Sequence, residues 1–190
     1  LPITECLGVL TLAKLDANTW QLDAASTYTG ATQVDDGTLI IGVTNALPVA
    51  TALRVGNTAT AATLNLNGFS QTVGSLAVNS SSNAVTNNII VNAGSTFTVN
   101  GAVTLGANAD ASTTLVNIGG GGSMVVNSGG ANFQVGGATG GTNDNKVTAD
   151  LSGLSTFFAN LGAGTLRIGD GNTGTEDNSS TLKLAVNNVI

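Results

Sequence analysis

Short runs of alternating apolar and polar residues dominate the chain. Gly37 to Ile41 reads GTLII, Gly94 to Val99 reads GSTFTV, and Gly164 to Ile168 reads GTLRI. Residues two apart on a strand point to the same face, so each run predicts a strand of four or five residues with one buried face. No apolar stripe of 3.6-residue period continues for a dozen residues, and we therefore expect no α-helical domain.

The runs share one order of residue types, which indicates an internal repeat. A glycine or serine comes first, then a small residue, a large apolar residue, a polar residue and a second apolar residue. The same order recurs in GSMVV at Gly122 to Val126, GANFQV at Gly130 to Val135, and STLKL at Ser180 to Leu184. Glycine and asparagine bound the runs, as is typical of tight turns. The pattern predicts an all-β fold built from many short, repeated strands.

Charge is scarce in this polar sequence. Only 8% of the 190 residues are charged, although 42% are hydrophobic, against about 25% charged in an average soluble domain. If equivalent positions stack every ~4.8 Å, identical charges repel, whereas Asn, Thr and Ser form hydrogen-bonded ladders. This composition favours a parallel β-helix (β-solenoid) over the alternative, an antiparallel sandwich with charged edges. We expect one domain over residues 1–190, with roughly 20 residues per coil and about nine coils.

The charges also exclude some functions. The net charge is −6, and the five cations are scattered at Lys14, Arg54, Lys146, Arg167 and Lys183, so no stripe can neutralise phosphates and no nucleic-acid partner is expected. The apolar runs are far too short to span a bilayer, so this segment is not expected to insert into a membrane. The chain starts at Leu1 without a signal-like segment, which we interpret as a processed protein or an excised segment.

Catalytic groups are poorly represented. Histidine is absent, which excludes Ser-His-Asp and Cys-His arrangements and the commonest zinc ligands. A glycosidase would need two facing carboxylates. The candidates are Asp35 with Asp36, Asp144, Asp150, Asp170, and Glu176 with Asp177, and none forms a sequence motif. We therefore predict that the chain is not an enzyme and has no catalytic, cofactor or metal site; Asp150 beside Asp170 is the one pair that a coil could bring together.

Two further features leave alternatives open. Asn143-Asp144-Asn145 and Asp170-Gly171-Asn172 offer closely spaced oxygen ligands, so they are either solvated turns or calcium sites. Cys6 is the only cysteine, which rules out an internal disulfide. We expect Cys6 to be a small buried hydrophobic residue, with an intermolecular bridge as the alternative.

Binding through repeated surface groups is not expected from the sequence. Carbohydrate sites favour exposed aromatic rings, but Phe97, Phe133, Phe157 and Phe158 fall in apolar strand patterns and are assigned to the core. An ice-binding solenoid would need Thr-x-Thr pairs at a regular period. Such pairs begin at Thr27, Thr58, Thr96 and Thr173, which share no period near one coil.

Specific strings carry a family resemblance, clearest over residues 19–78. Residues 19–42 read TWQLDAASTYTGATQVDDGTLIIG; NALP follows at 45–48, and LNLNGFSQTVGSL at 64–76. In this order they resemble the autotransporter-associated β-strand repeat proteins. The resemblance implies a right-handed parallel β-helix within a long exported bacterial polypeptide, extracellular or on the cell surface. It also implies a structural role, as an adhesin stalk or extracellular fibre.

The repeat and the chain ends lead to three structural expectations and one partner. We expect Tyr28 to form an aromatic lid at a corner, Asn67-Gly68 to form a tight turn, and Gln71 to bond the adjacent coil. Both ends read as apolar and lack the polar cap that isolated solenoids need. The expected partner is therefore further β-helix of the same or identical chains, and a head-to-tail filament subunit is the alternative to a stalk. No cofactor is expected.

Overall fold

We describe the chain from a computed structural model, over residues 1–57, 59–80, 85–106, 113–136, 146–169 and 179–190. Every regular element in these ranges is a short strand, because glycine, asparagine and β-branched residues interrupt each stretch that could form a helix. The strands are β1 (Leu12–Lys14), β2 (Thr19–Leu22), β3 (Thr32–Val34), β4 (Gly37–Ile41), β5 (Ala52–Val55), β6 (Ala62–Asn65), β7 (Gln71–Val73), β8 (Ser75–Val78), β9 (Val85–Ile90), β10 (Thr96–Val99), β11 (Val103–Leu105), β12 (Thr113–Gly119), β13 (Ser123–Asn127), β14 (Phe133–Val135), β15 (Lys146–Asp150), β16 (Thr156–Asn160), β17 (Leu166–Ile168), β18 (Ser180–Lys183) and β19 (Asn187–Val189).

The strands form three sheets, and every ladder between them is parallel. Sheet A has the order β1-β3-β5-β8-β11-β14-β17, sheet B β2-β4-β6-β9-β12-β15-β18, and sheet C β7-β10-β13-β16-β19. From β5 onward the chain visits sheets A, B and C in turn, so each strand pairs with its counterpart one coil earlier. This is the predicted parallel β-helix. Parallel ladders rule out the antiparallel sandwich, whose sequential strands would meet through hairpins.

The coils lengthen along the chain. Successive residues of one column in sheet A are Leu12, Thr32, Leu53, Leu76, Val103, Phe133 and Leu166, separated by 20, 21, 23, 27, 30 and 33 residues. Much of the added length falls between sheets A and B, where two residues separate β3 from β4 and ten separate β14 from β15. The expected 20 residues per coil therefore fits only the first coils. The described strands give seven coils along sheet A, and the count of about nine is not confirmed.

The core consists of inward-facing columns that run along the axis. In sheet A the second such column is Lys14, Val34, Val55, Val78, Leu105, Val135 and Ile168. Val34 through Val135 in this column are fully buried. Burying each side chain of this size contributes about 1.5–3 kcal/mol, so the columns supply the main stabilising force. In this column, parallel in-register stacking of aliphatic residues thus runs from Val34 in the second coil to Ile168 in the last described coil.

A glycine corner turns the chain from sheet A towards sheet B. Four strands of sheet A are each followed by a glycine with positive φ, at Gly56, Gly106, Gly136 and Gly169. At Gly56 a Cβ would lie 2.2 Å from Nδ2 of Asn87 and 2.4 Å from the carbonyl oxygen of Asn79. Asn87 is itself buried, accepting from the Ala62 N–H at 2.9 Å and donating to the Asn79 carbonyl at 2.6 Å. The corner therefore requires glycine for both its backbone conformation and the space.

The first ten residues stack on the sheet C side of the first coil. The Thr27 N–H donates to the Ile3 carbonyl at 3.0 Å, and the Gly30 N–H donates to the Leu10 carbonyl at 3.1 Å. The Glu5 carboxylate accepts from the N–H groups of Leu10 and Thr29, both at 3.0 Å. The hydrogen bond from Leu10 has the largest effect and that from Thr29 the next, and together they hold the pKa of the Glu5 carboxyl group below its usual value. Backbone stacking thus extends beyond β1 at this end.

Candidate functional site

The predicted structural residues lie within the coil stack. Gln71 bonds the preceding coil as expected, since its side chain accepts from the Leu47 N–H at 3.0 Å and donates to the Leu47 carbonyl at 3.1 Å. Asn67 and Gly68 have φ of 51° and 85°, which confirms the tight turn. Tyr28 is not a lid, because its ring is buried in the core. It stays inside because its hydroxyl bonds that of Thr32 at 2.6 Å.

Two of the carboxylates considered for catalysis form ion pairs with basic side chains. Asp35 receives two hydrogen bonds from Arg54, at 3.0 and 2.7 Å. The Asp150 carboxylate accepts a hydrogen bond from Nζ of Lys183 at 2.8 Å, and it also accepts from the N–H and the hydroxyl of Ser152. The Lys183 bond and then the Ser152 bonds lower the pKa of Asp150 to about 2. A carboxyl group with this pKa stays ionised at neutral pH and is unsuited to act as a general acid.

Asp36, the neighbour of Asp35, accepts a hydrogen bond on its carboxylate from the Gly37 N–H at 2.7 Å. The remaining candidates cannot be placed. Asp144, Asp170, Glu176 and Asp177 lie outside the described residues, as do both candidate calcium turns. Within the described ranges no group of three or more His, Cys, Asp or Glu could hold a metal ion. The Asp150 and Asp170 pair therefore stays untested.

Cys6 is exposed rather than buried. It lies in the largely exposed loop from Thr4 to Leu10, which a hydrogen bond from the Leu10 N–H to the Glu5 carboxylate closes. The prediction failed because it rested on the usual burial of free cysteine, whereas Cys6 lies before β1, outside the strands whose inner faces form the core.

The aromatic assignment is right for three phenylalanines and wrong for one. Phe97, Phe133 and Phe157 are fully buried, and the Phe133 and Phe157 rings meet edge to face with centroids 5.4 Å apart. Phe158 is 37% exposed. Adjacent residues of a strand point to opposite faces, so Phe157 and Phe158 cannot both reach the core. An exposed aromatic ring thus lies on the outer face of sheet C.

The two ends of the coil stack differ. At the C-terminal end the column residue Ile168 is 51% exposed, whereas Val135 beneath it is fully buried. A groove of about 450 Å³ opens there and is lined by residues that include Leu161, Leu166 and Ile190. The edges of β17, β18 and β19 that face away from the stack have no partner strand among the described residues. This end therefore presents apolar side chains and free backbone groups together.

The N-terminal end is more polar than its sequence suggests. Lys14 starts the second column of sheet A and is fully buried. Its ammonium group donates to the carbonyls of Asp16 and Asp36, and it lies 5.4 Å from the centroid of the Trp20 ring. An inward-pointing charge is a common way to discourage edge-to-edge association. The C-terminal end has no such group among its described column residues.

No helix in the described ranges is both long enough and apolar enough to cross a bilayer.

The three parallel sheets define the chain as a β-solenoid protein, a parallel β-helix whose C-terminal end is apolar. Residues 12–41 match the passenger-associated-transport-repeat family. The match covers β1 to β4 and overlaps the strings that resemble the autotransporter repeat. Comparison with curated proteins and with solved structures gives no match.

Proposed function

We propose that this chain is a structural, non-catalytic β-helix segment of a secreted or cell-surface bacterial protein, such as an adhesin stalk. The observation that carries the proposal is the in-register stack of parallel strands whose first coils match a passenger repeat. Such a stack has the properties of a spacer, because each coil contacts only its neighbours and more coils lengthen it. The pairing of Asp35 and Asp150 with cations supports a role without catalysis.

The contact that this function needs is at the C-terminal end. Leu166 and Ile168 are the last described members of their columns in sheet A, and Ile168 is half exposed because no further coil covers it among the described residues. The free edge of their strand is a template for pairing with another strand. We propose that a further β-helical coil covers this end. In a stalk that coil belongs to the same polypeptide. In the second candidate function, a filament, it belongs to an identical chain stacked head to tail.

Sedimentation velocity over a range of concentrations distinguishes the two candidates. The stalk proposal expects the purified chain to stay monomeric. The filament proposal expects species that grow with concentration, and Ile168→Lys should abolish the growth because it places a charge on the apolar end. Val49→Lys is the matched control, since Val49 is 50% exposed but lies in the connection before β5. If the species grow with concentration and only Ile168→Lys abolishes this growth, the filament proposal replaces the stalk proposal. Growth that Ile168→Lys does not affect would contradict both proposals.

A further inference from the structure

The outer face of sheet C is uncharged and carries one exposed aromatic ring. Its five strands contain no Asp, Glu, Lys or Arg, whereas sheets A and B expose Arg167 and Lys183. Val125, Phe158 and Val189 stack in register on this face and form an apolar stripe, which we call the Phe158 stripe. In the two preceding coils the same column carries Thr72 and Thr98, so the face becomes apolar only near the C-terminal coils.

Polar groups flank the Phe158 stripe on both sides. Asn127 and Asn160 pair in register on one side, and both are exposed. Thr156 lies on the other side, between Ser123 and Asn187. The side chains of Asn127, Asn160 and Thr156 make no hydrogen bond within the described part of the chain. Two amides and a hydroxyl therefore stand free beside the ring, each able to donate and accept.

The dimensions of the stripe fit a chain of sugar rings better than a protein. Three stacked residues span about 10 Å at the strand spacing, and the stripe is one side chain wide. A stable protein interface buries about 800 Å² on each partner, far more than such a stripe offers. A pyranose ring is close in size to the spacing between strands, so consecutive sugars can follow consecutive strands.

We propose that the Phe158 stripe binds a neutral oligosaccharide. The apolar C–H face of a pyranose ring would stack on the Phe158 ring, and its hydroxyls would bond the amides of Asn127 and Asn160 and the hydroxyl of Thr156. The absence of charge on sheet C favours a neutral glycan over an acidic one, because no cation is present to pair with a carboxylate or sulfate. This proposal goes beyond a structural role and does not depend on the covering of the C-terminal end.

The test is a titration of the isotopically labelled chain, followed by amide NMR. The probes are neutral tetrasaccharides of β-1,4-glucan, β-1,3-glucan, chitin, xylan and mannan, with tetragalacturonate as the acidic probe. At least one neutral probe should shift the side-chain amide signals of Asn127 and Asn160 and the backbone signals of β16. Tetragalacturonate should bind more weakly.

Two matched variants assign the binding to one ring. Phe158→Ala should weaken it by about tenfold or more, since a stacked ring is lost. Phe69→Ala removes a ring of nearly equal exposure, 36%, in the turn between β6 and β7, and should leave binding unchanged. The proposal is overturned if no neutral probe shifts the backbone signals of β16, or if tetragalacturonate binds as tightly as the neutral probes. It is overturned too if both variants weaken binding equally. It is also overturned if the free chain self-associates and Phe158→Ala abolishes this, because the stripe would then be an interface between copies.

Discussion

Phe157→Ala is expected to lower the free energy of unfolding by about 3–5 kcal/mol, the range for removing a fully buried aromatic side chain. Phe157 stacks on Met124 within sheet C, and its ring reaches Phe133 in sheet A. The substitution removes this edge-to-face contact and leaves a cavity between two sheets. The coils around it are closed by backbone ladders on all sides, so they can collapse only partly.

Phe158→Ala is the control for this variant. It changes the next residue of the same strand to alanine and removes the same atoms, but from the outer face. Its expected cost is about 1 kcal/mol or less, because surface substitutions seldom cost more. Urea denaturation of both variants gives the comparison through the shift of the unfolding midpoint. Equal losses would contradict the difference in burial between the two rings, and a larger loss for Phe158→Ala would mean that β16 is shifted by one residue, which exchanges its two faces.

Gly56→Ala should cost about 1–3 kcal/mol more than Gly68→Ala, the typical cost of overpacking a well-filled site. Both glycines have positive φ, so both variants carry the same kind of backbone strain, about 1–2 kcal/mol. They differ in their surroundings. A Cβ at Gly68 would have no atom within 4 Å, whereas at Gly56 it would overlap the Asn87 amide and the Asn79 carbonyl.

The Asn87 amide cannot move aside without loss. Its oxygen and nitrogen bond the Ala62 N–H and the Asn79 carbonyl, and a displaced amide would leave these groups unpaired in the interior. Chemical denaturation of the two variants measures the difference. Equal destabilisation would show that the corner between β5 and β6 has room for a side chain, against the packing described above.

The sequence predicted the strands and their stacking well because both follow from local patterns. Two-residue alternation assigns Phe97 and Val99 to the core, and the structure places them there. The scarcity of charge correctly favoured a stacked fold over a sandwich. Gln71 was predicted to bond the adjacent coil, and its buried amide bonds the backbone of Leu47.

Features that depend on coil length or on the ends were harder to predict. The connections between sheets A and B vary in length, so strand-to-strand spacing rises from 20 to 33 residues and no single period describes it. Phe158 was assigned to the core because two consecutive phenylalanines read as one apolar run, although a strand can bury only one of them. Lys14 illustrates the end effect. Its charge falls in an inward position and is satisfied by turn carbonyls that the sequence alone does not bring together.

Disulfide formation between paired cysteines tests the parallel, in-register stack most directly. The structure pairs Thr98 with Val125 and Thr96 with Ser123 on neighbouring strands. If Thr98 opposes Val125, a parallel ladder places Thr96 opposite Ser123, whereas an antiparallel ladder places Thr96 opposite Asn127. On a Cys6→Ser background, the double variant Thr96→Cys with Ser123→Cys should form an intrachain disulfide on mild oxidation, read by peptide mass spectrometry. The pair Thr96→Cys with Asn127→Cys should not, because its Cα atoms lie beyond the reach of a disulfide; a higher yield from this second pair would contradict the β-helix.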